Sequence, residues 1–221
     1  MHPPSGSRLI GLVGVAKSFA AKGRPPTLVL RPTTITLPAD RRLAILGGKH
    51  EGKSVLLQLL ARTDEPDLGR VISPMRLSPI VNCDRIFHRE LSGLENIRFY
   101  ARTSGVDENL LMRAMDGFYR IGSFLDAVVG DLPQKERRSV EAALVAALAF
   151  DCYLFDDIGL LDSSLVERSL GAAAGRGAGV IFTTASPRFA RQFADCAVVI
   201  QNHTLHPFHR VEEATRFYER G

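Results

Sequence analysis

Residues 47–54 read GGKHEGKS, with two glycines separated by four residues and followed by Lys-Ser. This is the spacing of a phosphate-binding loop. The apolar run RLAIL at 42–46 predicts a short buried strand before the loop, and KSVLLQLLAR at 53–62 predicts an amphipathic helix behind it. A strand, a glycine-rich loop and a helix in this order form the context that the motif requires. The sequence therefore predicts nucleotide binding here, and the alternative is a coincidental glycine-rich turn.

Each position of the loop has an expected role. Successive backbone N–H groups and the helix N-terminus form a cradle for anions. Lys53 is expected to reach the outer phosphates, and the Ser54 hydroxyl is expected to bind Mg²⁺. His50 and Glu51 are unusual: histidine tolerates a positive φ, whereas Glu51 adds a negative charge beside phosphate unless its side chain points outward. The predicted nucleotide-binding residues of the loop are Gly47, Gly48, Lys49, His50, Glu51, Gly52, Lys53, Ser54 and Val55.

The stretch CYLFDD at 152–157 predicts the carboxylate that such a loop needs for its metal. Asp156 ends an apolar strand pattern and is expected to hold Mg²⁺ together with Ser54. Asp157 follows directly, where it could polarise the attacking water as a catalytic base. The alternative is a strand that ends in solvated carboxylates.

Composition indicates a single globular domain with a sizeable core. The chain has 221 residues, of which 45% are hydrophobic, and a net charge of +4 that is scattered rather than concentrated in a basic block. We therefore expect no nucleic-acid partner. The longest apolar run, at 142–150, is too short to cross a bilayer, and no secretory signal is evident, so we expect an intracellular chain. Cys83, Cys152 and Cys196 are expected to be buried reduced thiols.

The remaining patterns alternate between strand and helix. Strand patterns cover 8–19, 27–37, 70–83, 151–157, 177–185 and 194–201, and helical patterns cover 94–103, 108–121, 123–129, 135–150, 163–174 and 186–193. Alternation of strands and helices argues for an α/β fold with a parallel sheet. The helical block between about 90 and 150 is interpreted as a subdomain inserted into that core.

With these motifs in place, the chain resembles the ATP-binding subunit of an ABC transporter over nearly its whole length. It is similar in particular to the ATPases that export capsular polysaccharide and related glycans. The stretch at 77–102 resembles that family's segment after the third strand, with LSGLEN at 91–96 where the family has L-T-G-x-E-N. LPADRRLAIL at 37–46 resembles the family's approach to the phosphate loop.

The resemblance implies a fold, cofactors and partners. The fold is a P-loop NTPase of ABC type, with a parallel-sheet core, an N-terminal antiparallel β-subdomain and an inserted helical subdomain at about 84–148 within one domain, 1–221. The cofactors are ATP and Mg²⁺. The partners are an integral-membrane permease and a second ATP-binding subunit, expected as a homodimer, which place the chain at the cytoplasmic face of the inner membrane.

Carrying the family pattern over residue by residue gives further candidates. Phe19 in KSFAAKG matches the aromatic that stacks on adenine, with a core phenylalanine as the alternative. No glutamine stands between 59 and 133 to serve the family's metal-sensing loop, and His88 is the candidate replacement among the catalytic residues. Ile86 and Phe87 of the same loop are expected to form an apolar tip for the permease between the charged Asp84, Arg85 and His88, unless they belong to the core.

Several catalytic positions depart from the family. The signature, usually L-S-G-G-Q, is matched by LPQKER at 132–137, which has neither glycine. Asp157 replaces the usual glutamate, Ala185 stands at the switch histidine, and Asp162 matches the aspartate that acts across the dimer.

Three functions remain open on this sequence. The first is an ABC subunit that energises glycan export. The second is a nucleotide-gated regulatory or assembly subunit with weak turnover, which the departures favour. The third, a small-molecule P-loop kinase, is disfavoured because no Arg-rich lid is evident.

Overall fold

The computed structural model describes residues 8–21, 24–81 and 86–220, which form two sheets and their covering helices. The strands are Leu9–Ala21 (β1), Arg24–Pro38 (β2), Arg42–Leu46 (β3), Leu68–Ile72 (β4), Leu77–Val81 (β5), Cys152–Phe155 (β6), Gly179–Thr184 (β7), Cys196–Gln201 (β8) and Thr204–Phe208 (β9). The helices are Lys53–Ala61 (α1), Gly93–Ser104 (α2), Glu108–Phe118 (α3), Gly122–Asp126 (α4), Gln134–Ala147 (α5), Ser163–Gly175 (α6), Pro187–Phe193 (α7) and Val211–Arg220 (α8).

The central sheet has the strand order β5-β6-β7-β3-β8-β9. Its neighbours pair in parallel from β5 to β8, and only β9 at the edge runs antiparallel to its neighbour. β6 and β7 are buried along their whole length, as expected of parallel strands covered on both faces. Because parallel strands end at the same edge, the loops after β3, β6 and β7 meet there.

The smaller sheet is the antiparallel β-subdomain that the resemblance implies, with the order β2-β1-β4. Alternate residues of β1, among them Ile10 and Leu12, are fully buried and share one core cluster with Leu56 and Leu57 of α1. Helix α1, which follows the phosphate loop, therefore packs against side chains of both the smaller and the central sheet. The predicted fold class is confirmed.

The helices α2 to α5 lie in sequence between β5 and β6. Ser92 and Glu95 form a reciprocal capping box at the start of α2, and Gly105 ends the helix with φ 67°. The predicted helix at 123–129 is wrong at its end, because Val128 bridges to Ser92 and 129–131 form a 3₁₀ turn. The bounds 84–148 for a helical subdomain stay a prediction.

The prediction of an exposed apolar tip is wrong for Ile86 and Phe87, each only 5% exposed. The Phe87 ring lies 5.3 Å from the ring of Phe124 and 6.3 Å from that of Tyr100, between centroids. Both residues belong to the core under α2, because burying large apolar side chains there is favourable. Asp84 and Arg85 lie outside the described residues.

Two of the three cysteines behave as predicted. Cys152 and Cys196 are free and buried, and Cys83 lies outside the described residues. Within the described residues, no helix combines the length and apolar character needed to cross a membrane.

Candidate nucleotide-binding site

The loop at 47–52 connects β3 to α1 at the edge where the parallel strands end. Gly52 has φ 87°, and a Cβ added there would lie 2.5 Å from Cγ1 of Val29 in β2. Only glycine fits this left-handed position against the β-subdomain. His50 also has a positive φ, 70°, a conformation in which histidine is found more often than most residues.

Glu51 points into the loop, not outward. Its Oε2 accepts a hydrogen bond from the Gly48 backbone N–H, and it lies 3.0 Å from an ideal Cβ position on Gly47. The carboxylate thus occupies the anion cradle that the two glycines leave open. The loop therefore has the geometry to accept an anionic oxygen, which is the property that a phosphate site requires.

Lys53 is turned back onto the loop. Its Nζ donates to the carbonyl oxygens of Gly47 at 2.8 Å and Gly48 at 2.5 Å. Partial burial lowers the pKa of the Lys53 ammonium, and the neighbouring charges of Asp157, Glu51 and Asp156 oppose that shift. The ammonium lies among the carboxylates of the site, where phosphate oxygens would be an additional partner.

Ser54 and Asp156, which are 102 positions apart in the chain, are joined by a hydrogen bond. The Ser54 hydroxyl donates to Asp156 Oδ1 at 3.0 Å. Hydroxyl and carboxylate oxygens are the ligands that Mg²⁺ prefers, so the two residues fit the metal role that the sequence assigns to them. That role stays a prediction.

Thr183 in β7 is a positioning residue that the sequence analysis missed. Its hydroxyl donates to Asp156 Oδ1 at 2.6 Å and accepts from the Asp157 backbone N–H at 2.7 Å. The side chain is 1% exposed. Two buried threonines at the end of the apolar strand GVIFTT are the signal that could have found it.

Asp157 stands in the left-handed region, with φ 47°, at the end of β6. This backbone position is uncommon for a residue other than glycine and is found at active sites. Asp157 is exposed, and its charge acts on Lys53. The assignment of Asp157 as a catalytic base stays a prediction.

Phe19 is 46% exposed, so the alternative of a core phenylalanine is wrong. Phe19 pairs across β1 and β2 with Thr27, two residues before the Val29 that contacts the loop. The Lys17 ammonium lies 5.4 Å from the ring centroid. The ring is available for stacking near the loop, and its contact with adenine stays a prediction.

His88 is held at the start of α2. Its backbone N–H donates to Asn96 Oδ1 at 2.7 Å, and its carbonyl accepts from Asn96 Nδ2 at 3.0 Å. The side chain is exposed. These contacts tie His88 to the helical block and not to the loop, and its catalytic role stays a prediction.

The segment 132–137, Asp162 and Ala185, which the resemblance also singles out, lie at or just before the starts of helices. In the segment 132–137, α5 begins at Gln134 after Pro133, with no side-chain cap. Asp162 caps α6, and the hydrogen bonds from Ser164 lower the pKa of its carboxyl group, to which the nearby Lys135 charge contributes. Ala185 follows β7 directly and is exposed.

Comparison of the sequence with known proteins finds relatives that cover most of the chain. No family model matches the chain. The ATP-binding protein BexA of Haemophilus influenzae is 28% identical over 193 residues, which cover 86% of this chain and 89% of BexA. The polysialic acid transport ATP-binding protein KpsT of Escherichia coli is 25% identical, over 96% of this chain and 99% of KpsT. The capsule polysaccharide export ATP-binding protein CtrD of Neisseria meningitidis is also 25% identical, over 86% and 89%.

Solved structures show the same fold. An ATP-binding subunit of an ABC transporter superposes with a TM-score of 0.77 at 16% identity, covering 96% of this chain and 93% of its own. A dimeric bacterial ABC transporter cassette gives a TM-score of 0.78 at 16% identity, covering 91% and 98%. The resemblance is thereby confirmed: this chain has the ABC-type ATP-binding fold, and it is similar in sequence to ATP-binding proteins of capsule polysaccharide export and polysialic acid transport.

Proposed function

We propose that this chain is the ATP-binding subunit of an ABC transporter that exports a capsule-like polysaccharide across the inner membrane. The observation that carries the proposal is the hydrogen bond between Ser54 and Asp156, which joins the phosphate loop to a distant strand-end carboxylate. Similarity to CtrD and KpsT over most of the chain supports polysaccharide as the cargo.

In this proposal, the loop binds the ATP phosphates and the strand ends hold the metal. ATP supplies the phosphoanhydride whose cleavage drives export. Backbone N–H groups of the loop and Lys53 bind the phosphates, Ser54 and Asp156 hold Mg²⁺, and Phe19 stacks on adenine. The proposed contacts of the loop are Gly47, Gly48, Lys49, His50, Glu51, Gly52, Lys53, Ser54 and Val55.

The proposal includes the partners that the resemblance implies. Two ATP-binding subunits form a dimer, and a separate integral-membrane permease holds that dimer at the cytoplasmic face of the inner membrane. The existence of a dimeric cassette with this fold supports the geometry of such a pair. Asp162 and the segment 132–137 are the parts of this chain that we place at the contact between the subunits.

A second candidate function is a nucleotide-gated regulatory or assembly subunit with slow turnover. Ala185 favours it, because a methyl group after β7 cannot hydrogen-bond a γ-phosphate. Asp157 favours it too, since its side chain is one methylene shorter than glutamate, and a misplacement of about 1 Å can reduce a rate by roughly a hundredfold.

ATP turnover by the purified permease complex separates the two candidates. With the departures in place, we expect turnover well below the roughly 10 s⁻¹ median of enzymes. Asp157→Glu and Ala185→His should raise it when combined by more than either change alone, because both groups act on one phosphate and one water. Ala174→His, at an exposed alanine on α6, is the matched control. Brisk turnover by the unaltered complex would contradict the weak-turnover candidate.

The export role is tested in cells. Replacing the native chain with Lys53→Ala should abolish polysaccharide at the cell surface while the polymer accumulates inside. Normal surface polysaccharide in cells that carry only Lys53→Ala would contradict the proposed function.

A further inference from the structure

We propose that Glu51 is an intramolecular competitor of ATP: in the nucleotide-free chain its carboxylate occupies the cradle that a phosphate takes when ATP binds. This inference rests on the proposed nucleotide site and assigns Glu51 a role beyond lining it. The carrying observation is the contact of Glu51 Oε2 with the Gly48 N–H, directly over the open face of Gly47.

Two groups that would bind phosphate are engaged inside the loop by this arrangement. The Gly48 N–H donates to Glu51, and the Lys53 ammonium donates to the carbonyls of Gly47 and Gly48. The Glu51 charge also acts on Lys53, where it opposes the lowering of the lysine pKa by burial. ATP must therefore displace the carboxylate before its phosphate can accept from Gly48.

Helix α8 and strand β8 border the loop on one side. Burial raises the pKa of the Tyr218 hydroxyl in α8, and the nearby Glu51 charge raises it further. The carbonyl of Ile200, at the end of β8, lies 3.2 Å from an ideal Cβ on Gly47. The Ile200 carbonyl thus bounds the cradle beside Gly47.

The size of the competition follows from the type of hydrogen bond. A hydrogen bond to a charged acceptor contributes more than a neutral one, and an uncompensated carboxylate beside phosphate is repulsive. Glutamine at position 51 keeps the shape and loses the charge. Aspartate keeps the charge, and its shorter side chain cannot reach the Gly48 N–H in the same way.

The first test is the affinity for ATP, measured by titrating a fluorescent ATP analogue into the full chain. Glu51→Gln should bind about tenfold more tightly than the native chain, because ATP then displaces a neutral hydrogen bond in place of a charge-assisted one, and Glu51→Asp should fall between the two. Glu167→Gln, at an exposed glutamate on α6, has the same change of net charge and should bind like the native chain. Equal or weaker binding by Glu51→Gln overturns the proposal.

The second test observes the contact without nucleotide. In the amide NMR spectrum of the full chain, the Gly48 N–H proton should resonate downfield because it donates to a carboxylate. Glu51→Gln should move this resonance upfield, and Glu167→Gln should leave it unchanged. Pyrophosphate added to the native chain should shift it, because pyrophosphate displaces the Glu51 carboxylate from the Gly48 N–H. A Gly48 resonance that is insensitive to Glu51→Gln overturns the proposal.

The two tests also separate this proposal from the proposed function. If the native chain and Glu51→Gln bind ATP equally, the competition is wrong and the nucleotide site stands. If no variant binds ATP, both are wrong, because the carboxylate then has no competitor.

Discussion

Replacing Thr183 with valine removes the hydroxyl that joins the two strand-end aspartates, and we expect it to destabilise the chain and weaken ATP binding together. Thr183 donates to Asp156 Oδ1 at 2.6 Å and accepts from the Asp157 N–H at 2.7 Å. Valine has nearly the same shape and fits a strand equally well. The substitution therefore removes two hydrogen bonds with little change in packing.

The magnitude follows from those two bonds. A hydrogen bond to a charged group contributes about 1.5–3 kcal/mol, and the neutral bond from the Asp157 N–H contributes about 0.5–1.5 kcal/mol. Since Asp156 keeps its bond from Ser54, we expect a total loss of about 2–4 kcal/mol. At a urea slope of roughly 2 kcal/mol per M, the unfolding midpoint should fall by about 1–2 M.

Thr184→Val is the matched control, because among the described residues the Thr184 hydroxyl accepts a neutral bond from the Ser186 N–H, at 3.1 Å, and contacts no carboxylate. It should cost about 1 kcal/mol or less. Urea unfolding followed by circular dichroism measures both variants, and ATP titration in the presence of Mg²⁺ measures the site. If Thr183→Val loses less than about 0.5 kcal/mol, or no more than Thr184→Val, the positioning role is refuted.

Three further results are expected. Gly52→Ala should lower both stability and ATP affinity, because its φ of 87° is strained for alanine and the new Cβ would lie 2.5 Å from Val29 Cγ1. Adding Val29→Ala should recover part of the lost stability in urea unfolding. If it recovers none, the steric clash is contradicted. Phe87→Ala should cost about 3–5 kcal/mol in thermal unfolding, whereas Phe99→Ala, at a 58% exposed ring, should cost about 1 kcal/mol or less; similar costs would mean that Phe87 is not core. Iodoacetamide at pH 8 should leave Cys152 unmodified in the native chain, since burial raises the pKa of its thiol to about 12; rapid alkylation seen by mass spectrometry would speak against that environment.

The parts of the site that the sequence predicts are those set by local pattern. The run RLAIL is almost wholly buried in β3, and the glycine spacing after it fixes a tight path into α1. The apolar strand CYLF is fully buried and delivers Asp156 to the same sheet edge. Strand, loop and helix follow from neighbouring residues, so one chain segment carries enough information to predict them.

The parts that it misses depend on side-chain rotamers or on contacts between distant segments. The direction of the Glu51 side chain depends on its rotamer, and the residue type alone does not determine which rotamer is adopted. The burial of Phe87 follows from the position of Phe124 on α4, 37 positions further along the chain. Thr183 acquires its role only when β7 lies beside β6.

Strand β9 is absent from the sequence analysis, although the chain carries a signal for it. Asn202 and His203 both have positive φ, 51° and 64°, and connect Gln201 to Thr204 as a two-residue hairpin turn. Pro207 in the short run TLHPF argues against a strand in general, but it is tolerated at the edge of a sheet, where β9 lies. Asparagine at the turn is the residue type that this geometry favours.

The most direct test of the nucleotide site compares the ATP affinity of the native chain with that of Lys53→Ala. Isothermal titration calorimetry at equal Mg²⁺ measures both affinities. The ammonium of Lys53 is partly buried at the cradle, and charge-assisted bonds to phosphate oxygens contribute roughly 1.5–3 kcal/mol each. We predict that Lys53→Ala weakens ATP binding by about tenfold or more while the chain stays folded by circular dichroism. Equal affinities in two folded proteins would show that the loop at 47–54 does not bind the phosphates of ATP.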